Sequence, residues 1–256
     1  ELDEENNMYY YSARYYAPPT FISRDPMFEK YPSISPYTYC ANNPVITIDP
    51  TGETIWIIGE NNETYEYKKG EEYKGESEFI KQTVDALNKG RSKSTTAERM
   101  LGELSGSEYD YNISKGDESN YRPKDQSTVI NSNTDESFFP KGGGDIKWNP
   151  NGTEYFEQSP EGGPSVLVNR PEMGLFHELG HGWDNMAGVL ASKDMTYKGL
   201  EVQEWTATRT ENMIRKEMGL PLRTSYGINV WEGKKSVSFP LLLNSKGNHK
   251  YTKYQH

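Results

Sequence analysis

A single cysteine, Cys40, stands among 256 residues, so no internal disulfide can form and a structural zinc site built on thiolates is excluded. Histidine is nearly as scarce, with 4 copies. Basic residues are outnumbered, 28 Lys and Arg against 38 Asp and Glu, giving a net charge of −10. That deficit argues against a protein that tracks nucleic-acid phosphates, because such proteins need a basic face. No apolar run reaches the roughly 20 residues needed to cross a bilayer, so membrane insertion is not expected. The opening stretch ELDEENNMYYYSARYY lacks the pattern of a signal peptide. Export is therefore expected to use a dedicated secretion system, or the chain is a piece of something longer. No internal repeat is visible. Gly142 to Gly144 invite a phosphate-loop reading, but no Gly-Lys-Ser/Thr comes after them, which leaves a flexible turn. What is abundant is tyrosine, with 19 copies, a residue suited to strands and half-buried surfaces.

The chain reads as two parts, residues 1–52 and 53–256. In the first, YYYSARYYAPPTFISRDP precedes SPYTYCANNPVITIDPTGE, aromatic clusters separated by Pro, Asn-Asn-Pro and Asp-Pro turn signals. This predicts short strands and tight turns with too little apolar mass to fold alone. The arrangement resembles the end of the core region of Rhs/YD-repeat proteins. There a Y..RYY.P..G.F...DP stretch leads to NPY.Y..NNP....DP.G. One departure is that Asp25-Pro26 is succeeded by Met27-Phe28, where many members have a further glycine. In that family the segment closes a large β-cocoon shell, and a variable toxin comes after it.

From residue 53 the pattern changes. TIWIIGENNETYEYKK predicts a hairpin around Asn-Asn. SEFIKQTVDALNKG predicts a helix with a serine cap and a terminal glycine, and TTAERMLGELSG a shorter one. YDYNIS, GDIKWNP and PSVLVN read as strands, with long polar loops over residues 115–127 and 131–144. Pro171 opens a helix at its favoured first position.

That helix carries FHELGHGWD, residues 176–184. At about 100° per residue, His177 and His181 stand one turn apart on one face, the separation needed to grip one ion. Glu178 is displaced by about 100°, so it reaches a water at the ion more readily than the ion itself. This is the His-Glu-x-x-His pattern of metal-dependent hydrolases, two ligands and a general base. Gly180 and Gly182 weaken a helix, which points to close approach by neighbours.

Zinc needs a third protein ligand. A helix predicted over residues 200–218 buries Leu200, Ala207, Ile214 and Met218, and Glu204 and Glu211 share that face. Glu204 ranks first, because small Ala207 one turn on lets two helices approach. Glu211, Asp184 and Glu201 stay open as alternatives, with Asp184 or Glu211 able to orient a ligand histidine and Glu211 able to pair with Arg215. Arg223 and Tyr226, three apart in PLRTSYG, are candidate donors to an oxyanion.

HELGH, with Trp148-Asn149-Pro150 before it and Glu211-Asn212, Ile214-Arg215, Glu217, Gly219 to Pro221, Arg223 and Ser225-Tyr226 after it, resembles the effector zinc metallopeptidases of the NleD type. The resemblance spans roughly residues 145 to 227. It implies a delivered protease that cuts a protein inside a target cell. The expectation is an α+β fold of the zincin kind, with a small mixed sheet and an active-site helix. His177, His181 and Glu204 hold Zn2+, Glu178 activates water, and Arg223 and Tyr226 assist. An edge strand at residues 165–168 or 145–148 is expected to hold the substrate backbone. Expected partners are the substrate, an immunity protein and the remainder of the Rhs shell, not nucleic acid. A non-catalytic shell fragment and a nuclease toxin are the rival readings.

Overall fold

The computed structural model describes the strands at residues 2–3, 8–11, 14–17 and 20–21 and, with side chains, residues 55–161 and 163–253. The chain divides into two compact units, Glu1–Glu53 and Thr54–His256. In the first unit β1 (Leu2–Asp3), β2 (Met8–Tyr11), β3 (Arg14–Ala17) and β4 (Thr20–Phe21) form an antiparallel sheet in chain order. The NNPVITIDPTG stretch lies outside the described residues.

The second unit is a mixed α+β structure. In its main sheet the central strands β5 (Ile55–Ile58), β7 (Tyr111–Lys115) and β11 (Gly144–Trp148) are parallel. The flanking strands β6 (Thr64–Glu66) and β8 (Asn120–Pro123) are antiparallel to their neighbours, and the sheet order is β6-β5-β7-β11-β8. Ile55, Ile57, Tyr111, Ile113 and Ile146 alternate inward and are fully buried. They pack with Phe79, Ile80, Val84 and Leu87 of α1 (Glu78–Lys93) and Met100, Leu101 and Leu104 of α2 (Thr95–Ser105). Each such side chain contributes about 1.5–3 kcal/mol by leaving water.

The serine cap of α1 is Ser77, whose side chain accepts from the Ile80 N–H at 3.3 Å. Gly90, however, does not stop this helix, which runs on to Lys93. Gly90 is buried, and a Cβ there would lie 2.0 Å from Phe176 Cζ. Its missing side chain is a packing notch for the helix that carries the histidines, not a terminator. Ser94 ends α1 and caps α2, accepting from Ala97 N at 3.0 Å.

The two stretches expected to be loops contain structure. The first holds β8, and the next segment forms a hairpin of β9 (Val129–Asn131) and β10 (Glu136–Phe138). The polar composition of β8 suits it to the edge of the main sheet, where backbone pairing to β11 and alternate residues such as Tyr121 hold it. The expectation that residues 145–148 offer a free edge fails, because β11 is paired on both sides, by β7 and β8. The other candidate lies in β13 (Val166–Asn169), which pairs with β12 (Glu154–Glu157) on one side only.

Helix α3 (Pro171–Ala187) starts at its proline and ends at Gly188, whose φ of 75° closes the helix in the left-handed region. Trp148 Nε1 donates to Pro171 O at 3.0 Å and ties the start of α3 to the sheet. After a short β14–β15 ribbon (Thr196–Tyr197, Leu200–Glu201), α4 (Val202–Glu217) packs along α3. A last hairpin, β16 (Ile228–Trp231) and β17 (Lys234–Val237), completes the described elements. Among the described residues no helix is long and apolar enough to cross a membrane.

Candidate metal centre

Helix α3 is buried nearly all round. Leu175, Leu179 and Trp183 face the sheet core, while His177, Glu178, His181 and Asp184 are buried on its other sides. Helix α4 comes close at Gly180, where an added Cβ would stand 3.5 Å from Ala207 Cα, an ordinary contact. Gly182 is tighter, with Tyr111 3.3 Å from the position a Cβ would take.

This packing brings three ligand atoms together. His177 Nε2 lies 3.0 Å and His181 Nε2 lies 3.5 Å from Glu204 Oε2. One ligand atom from each of the three residues lies within 4.8 Å of the other two. A tetrahedral ion with bonds of about 2.0–2.1 Å separates its ligands by roughly 3.3 Å, so the spacing and the N/N/O donor set fit zinc. Glu178 is buried beside them, and burial raises its pKa, with the two imidazoles partly offsetting the effect.

The other acids go elsewhere. Glu211 Oε2 stands 3.3 Å from His177 Nδ1, on the opposite side of the ring from Glu204. Asp184 interacts electrostatically with Arg209, and Glu201 accepts a hydrogen bond from Gln203. Neither joins the cluster. Burial opposes a charge on His177, but Glu204 and Glu211 on its two sides outweigh it and raise its pKa to about 10. The same contacts hold Glu204 well below the ordinary carboxylate range, with the two histidines overcoming its burial.

The Tyr226 ring lies 6.1 Å from the His177 ring, and burial together with the Glu204 carboxylate raises the phenol pKa. Arg223 is held differently. Its Nε donates to Ser225 O, Nη1 to Glu211 Oε2 at 2.9 Å and Nη2 to Tyr226 O. The guanidinium therefore braces the Tyr226 loop and Glu211, with every nitrogen engaged. On the far side of His181, the Tyr121 ring of β8 stacks at 6.3 Å.

Sequence reasoning missed what stands behind Glu211. Buried Arg215 binds Glu211 Oε1 at 2.8 Å and Glu157 Oε2 at 3.0 Å, and it also hydrogen-bonds Tyr155. Arg170 grips both oxygens of Glu157 at 2.8 and 2.9 Å. Tyr155 lies under both guanidiniums, 4.8 Å from Arg215 and 5.0 Å from Arg223. The only local signal was the i,i+4 pairing of Glu211 with Arg215. Glu157 lies 58 residues from Arg215, and nothing in its neighbourhood announces the partner.

A family model described as effector protein, Peptidase_M91, matches residues 68–209. That span includes His177, Glu178, His181 and Glu204 and ends before Glu211, Arg223 and Tyr226. The tRNA(Glu)-specific nuclease WapA of Bacillus subtilis subsp. natto is 38% identical over 85 residues, covering 29% of this chain and 4% of that protein. Salivary gland surface protein 1 of Aedes aegypti is 49% identical over 66 residues, covering 23% of this chain and 2% of that protein. The tRNA nuclease WapA of Bacillus subtilis is 40% identical over 63 residues, again 23% of this chain and 3% of the relative. The chain thus spans no more than 4% of the length of these relatives. No solved structure matches the chain significantly.

Proposed function

The chain belongs to the Peptidase_M91 family of effector proteins, and from that premise we propose that it is a zinc-dependent endopeptidase of the zincin kind. In this reading it is the toxin of an Rhs-type polymorphic protein, made in a bacterial cytoplasm, exported by a specialised system and delivered into a target cell. The observation that carries it is the convergence of His177 Nε2, His181 Nε2 and Glu204 Oε2 beside buried Glu178. The Rhs part rests on the sequence resemblance of residues 1–52, and the expected immunity protein on the toxin role.

His177, His181 and Glu204 would hold the ion. When bound, zinc supplies Lewis acidity, polarising the scissile carbonyl and making water more acidic. Glu178, buried beside the ligand atoms, takes the proton from the attacking water and passes it to the leaving amine. The Tyr226 hydroxyl donates to the oxyanion, and Arg223 keeps its loop in place. Glu211 fixes the ring of His177 from Nδ1. The outer edge of β8, whose Tyr121 lies against His181, receives the substrate backbone by strand addition.

The nuclease activity named for two of the relatives is not carried across by matches this short, and a net charge of −10 opposes polyanion binding. The test is a comparison of new protein N-termini in cells producing this chain or its Glu178→Gln variant. Cleavage sites present only with the wild type support the reading. Equal toxicity of both, with no new N-termini, overturns it.

A further inference from the structure

Among the described residues of the second unit, the exposed large apolar side chains lie mostly on strands. Of these, Val129 and Ile130 lie on β9, Val166 on β13, Val230 and Trp231 on β16, and Phe239 just past β17, with Met213 the exception. The densest group is the β16–β17 hairpin, where Trp231 is 77% and Phe239 78% exposed. Glu232 and Gly233 form its two-residue turn, both at positive φ, which places Trp231 and Lys234 opposite each other on one face. Lys235 is paired with Glu154, whereas Lys234 makes no ion pair among the described residues. The tip therefore presents an indole opposite an ammonium that has no ion pair among the described residues, with Glu232 in the turn between them, on a protein of net charge −10.

The hairpin is fastened at its base to the candidate metal centre. It begins two residues after Tyr226, Gly227 N donates to Ser238 Oγ at 3.0 Å, and Ser225 bridges Leu241. The ribbon thus starts beside the Tyr226 flank of the candidate metal centre. We propose that the tip of the β16–β17 hairpin, Trp231 with Lys234, is an exosite of the peptidase. It would capture a segment of the protein substrate that carries an apolar side chain next to a carboxylate, away from the bond that is cut. The apolar half fits the exposed indole, and the carboxylate fits Lys234 where most of the surface would repel it. Recognition then depends on more of the substrate than the residues flanking the cleaved bond.

This inference rests on the peptidase reading. Its test uses the protein whose new N-terminus appears with the wild-type chain and not with Glu178→Gln, and a peptide of about twelve residues spanning that cleavage site. In the full chain, Trp231→Ser and Lys234→Glu should each raise KM for the intact protein about tenfold, because aromatic anchors dominate such contacts. Hydrolysis of the peptide and zinc content should be unchanged. Wild-type KM for the intact protein in both variants overturns the exosite, as does equal loss on the peptide. A variant that loses stability at unchanged KM assigns the tip to this chain's own residues 1–53 and also overturns it. Flotation of the wild type with phosphatidylglycerol vesicles, lost in Trp231→Ser at unchanged KM, gives the tip to a membrane instead. Absence of any new N-terminus with the wild type refutes the peptidase reading and this inference together, whereas the KM results bear on the exosite alone.

Discussion

Glu204 and Glu211 stand two turns apart on one face of α4, and that displacement decides which atom of His177 each one meets. Glu204 faces Nε2 at 3.0 Å, on the side where His181 also points, while Glu211 faces Nδ1 at 3.3 Å. The two acids should therefore fail differently. Glu211→Ala should weaken zinc binding about 10- to 100-fold, the usual effect of losing an orienting partner. Glu204→Ala should weaken it further, measured by competition with a chelator of known affinity. A site that stays filled in Glu204→Ala and empties in Glu211→Ala would reverse the assignment. Glu178→Gln keeps the side-chain size and removes the base. It should fold, hold zinc nearly as well as the wild type and cleave at least about 100-fold more slowly.

At the scale of elements, a notch in one helix seats another. Alanine in place of glycine inside a helix ordinarily stabilises by roughly 1 kcal/mol. At Gly90 the added Cβ would sit 2.0 Å from the ring of fully buried Phe176, the residue before His177. Gly90→Ala should therefore destabilise the chain by about 1–3 kcal/mol through overpacking, read from urea unfolding. Adding Phe176→Leu should recover part of the loss. Stabilisation by Gly90→Ala alone would show that α1 and α3 are not in register as described. The same contact explains why the glycine reads as a helix stop in the sequence. Local pattern shows the missing side chain but not the ring that occupies its place.

Over the second unit as a whole, one buried ionic network joins β12, α3, α4 and the Tyr226 loop. Burial alone would raise the pKa of Glu157, but Arg170 and Arg215 outweigh it and lower it. The unfolded chain thus binds the Glu157 proton more tightly than the folded one. Its stabilisation is complete above the ordinary carboxylate pKa of about 4.3 and is lost as pH falls through the depressed folded value. Glu157→Gln leaves two guanidiniums without their shared carboxylate and should cost about 3–5 kcal/mol at pH 7. The difference from wild type should shrink as the pH is lowered below the ordinary value, in urea titrations with chelator present. A gap that stays constant down to about pH 2 would remove Glu157 from the acid response.

Much of this protein can be read from local pattern. The i,i+4 histidines with an intervening glutamate, the Ser77 cap, the proline start of α3 and the alternation in β5 and β7 each depend on neighbours within one or two turns, where helix and strand periodicity fixes which side chains share a face. Periodicity also places Glu204 and Glu211 on a common face, but it has no information about distance to another helix. Packing of α4 on α3 at Gly180 and Ala207 sets those distances. The same limit hid Glu157, which meets Arg215 only because β12 folds back beside α4, and it made polar β8 look like a loop. A strand at a sheet edge is held by backbone hydrogen bonds to β11, and those are formed by the fold without a hydrophobic signature in the sequence.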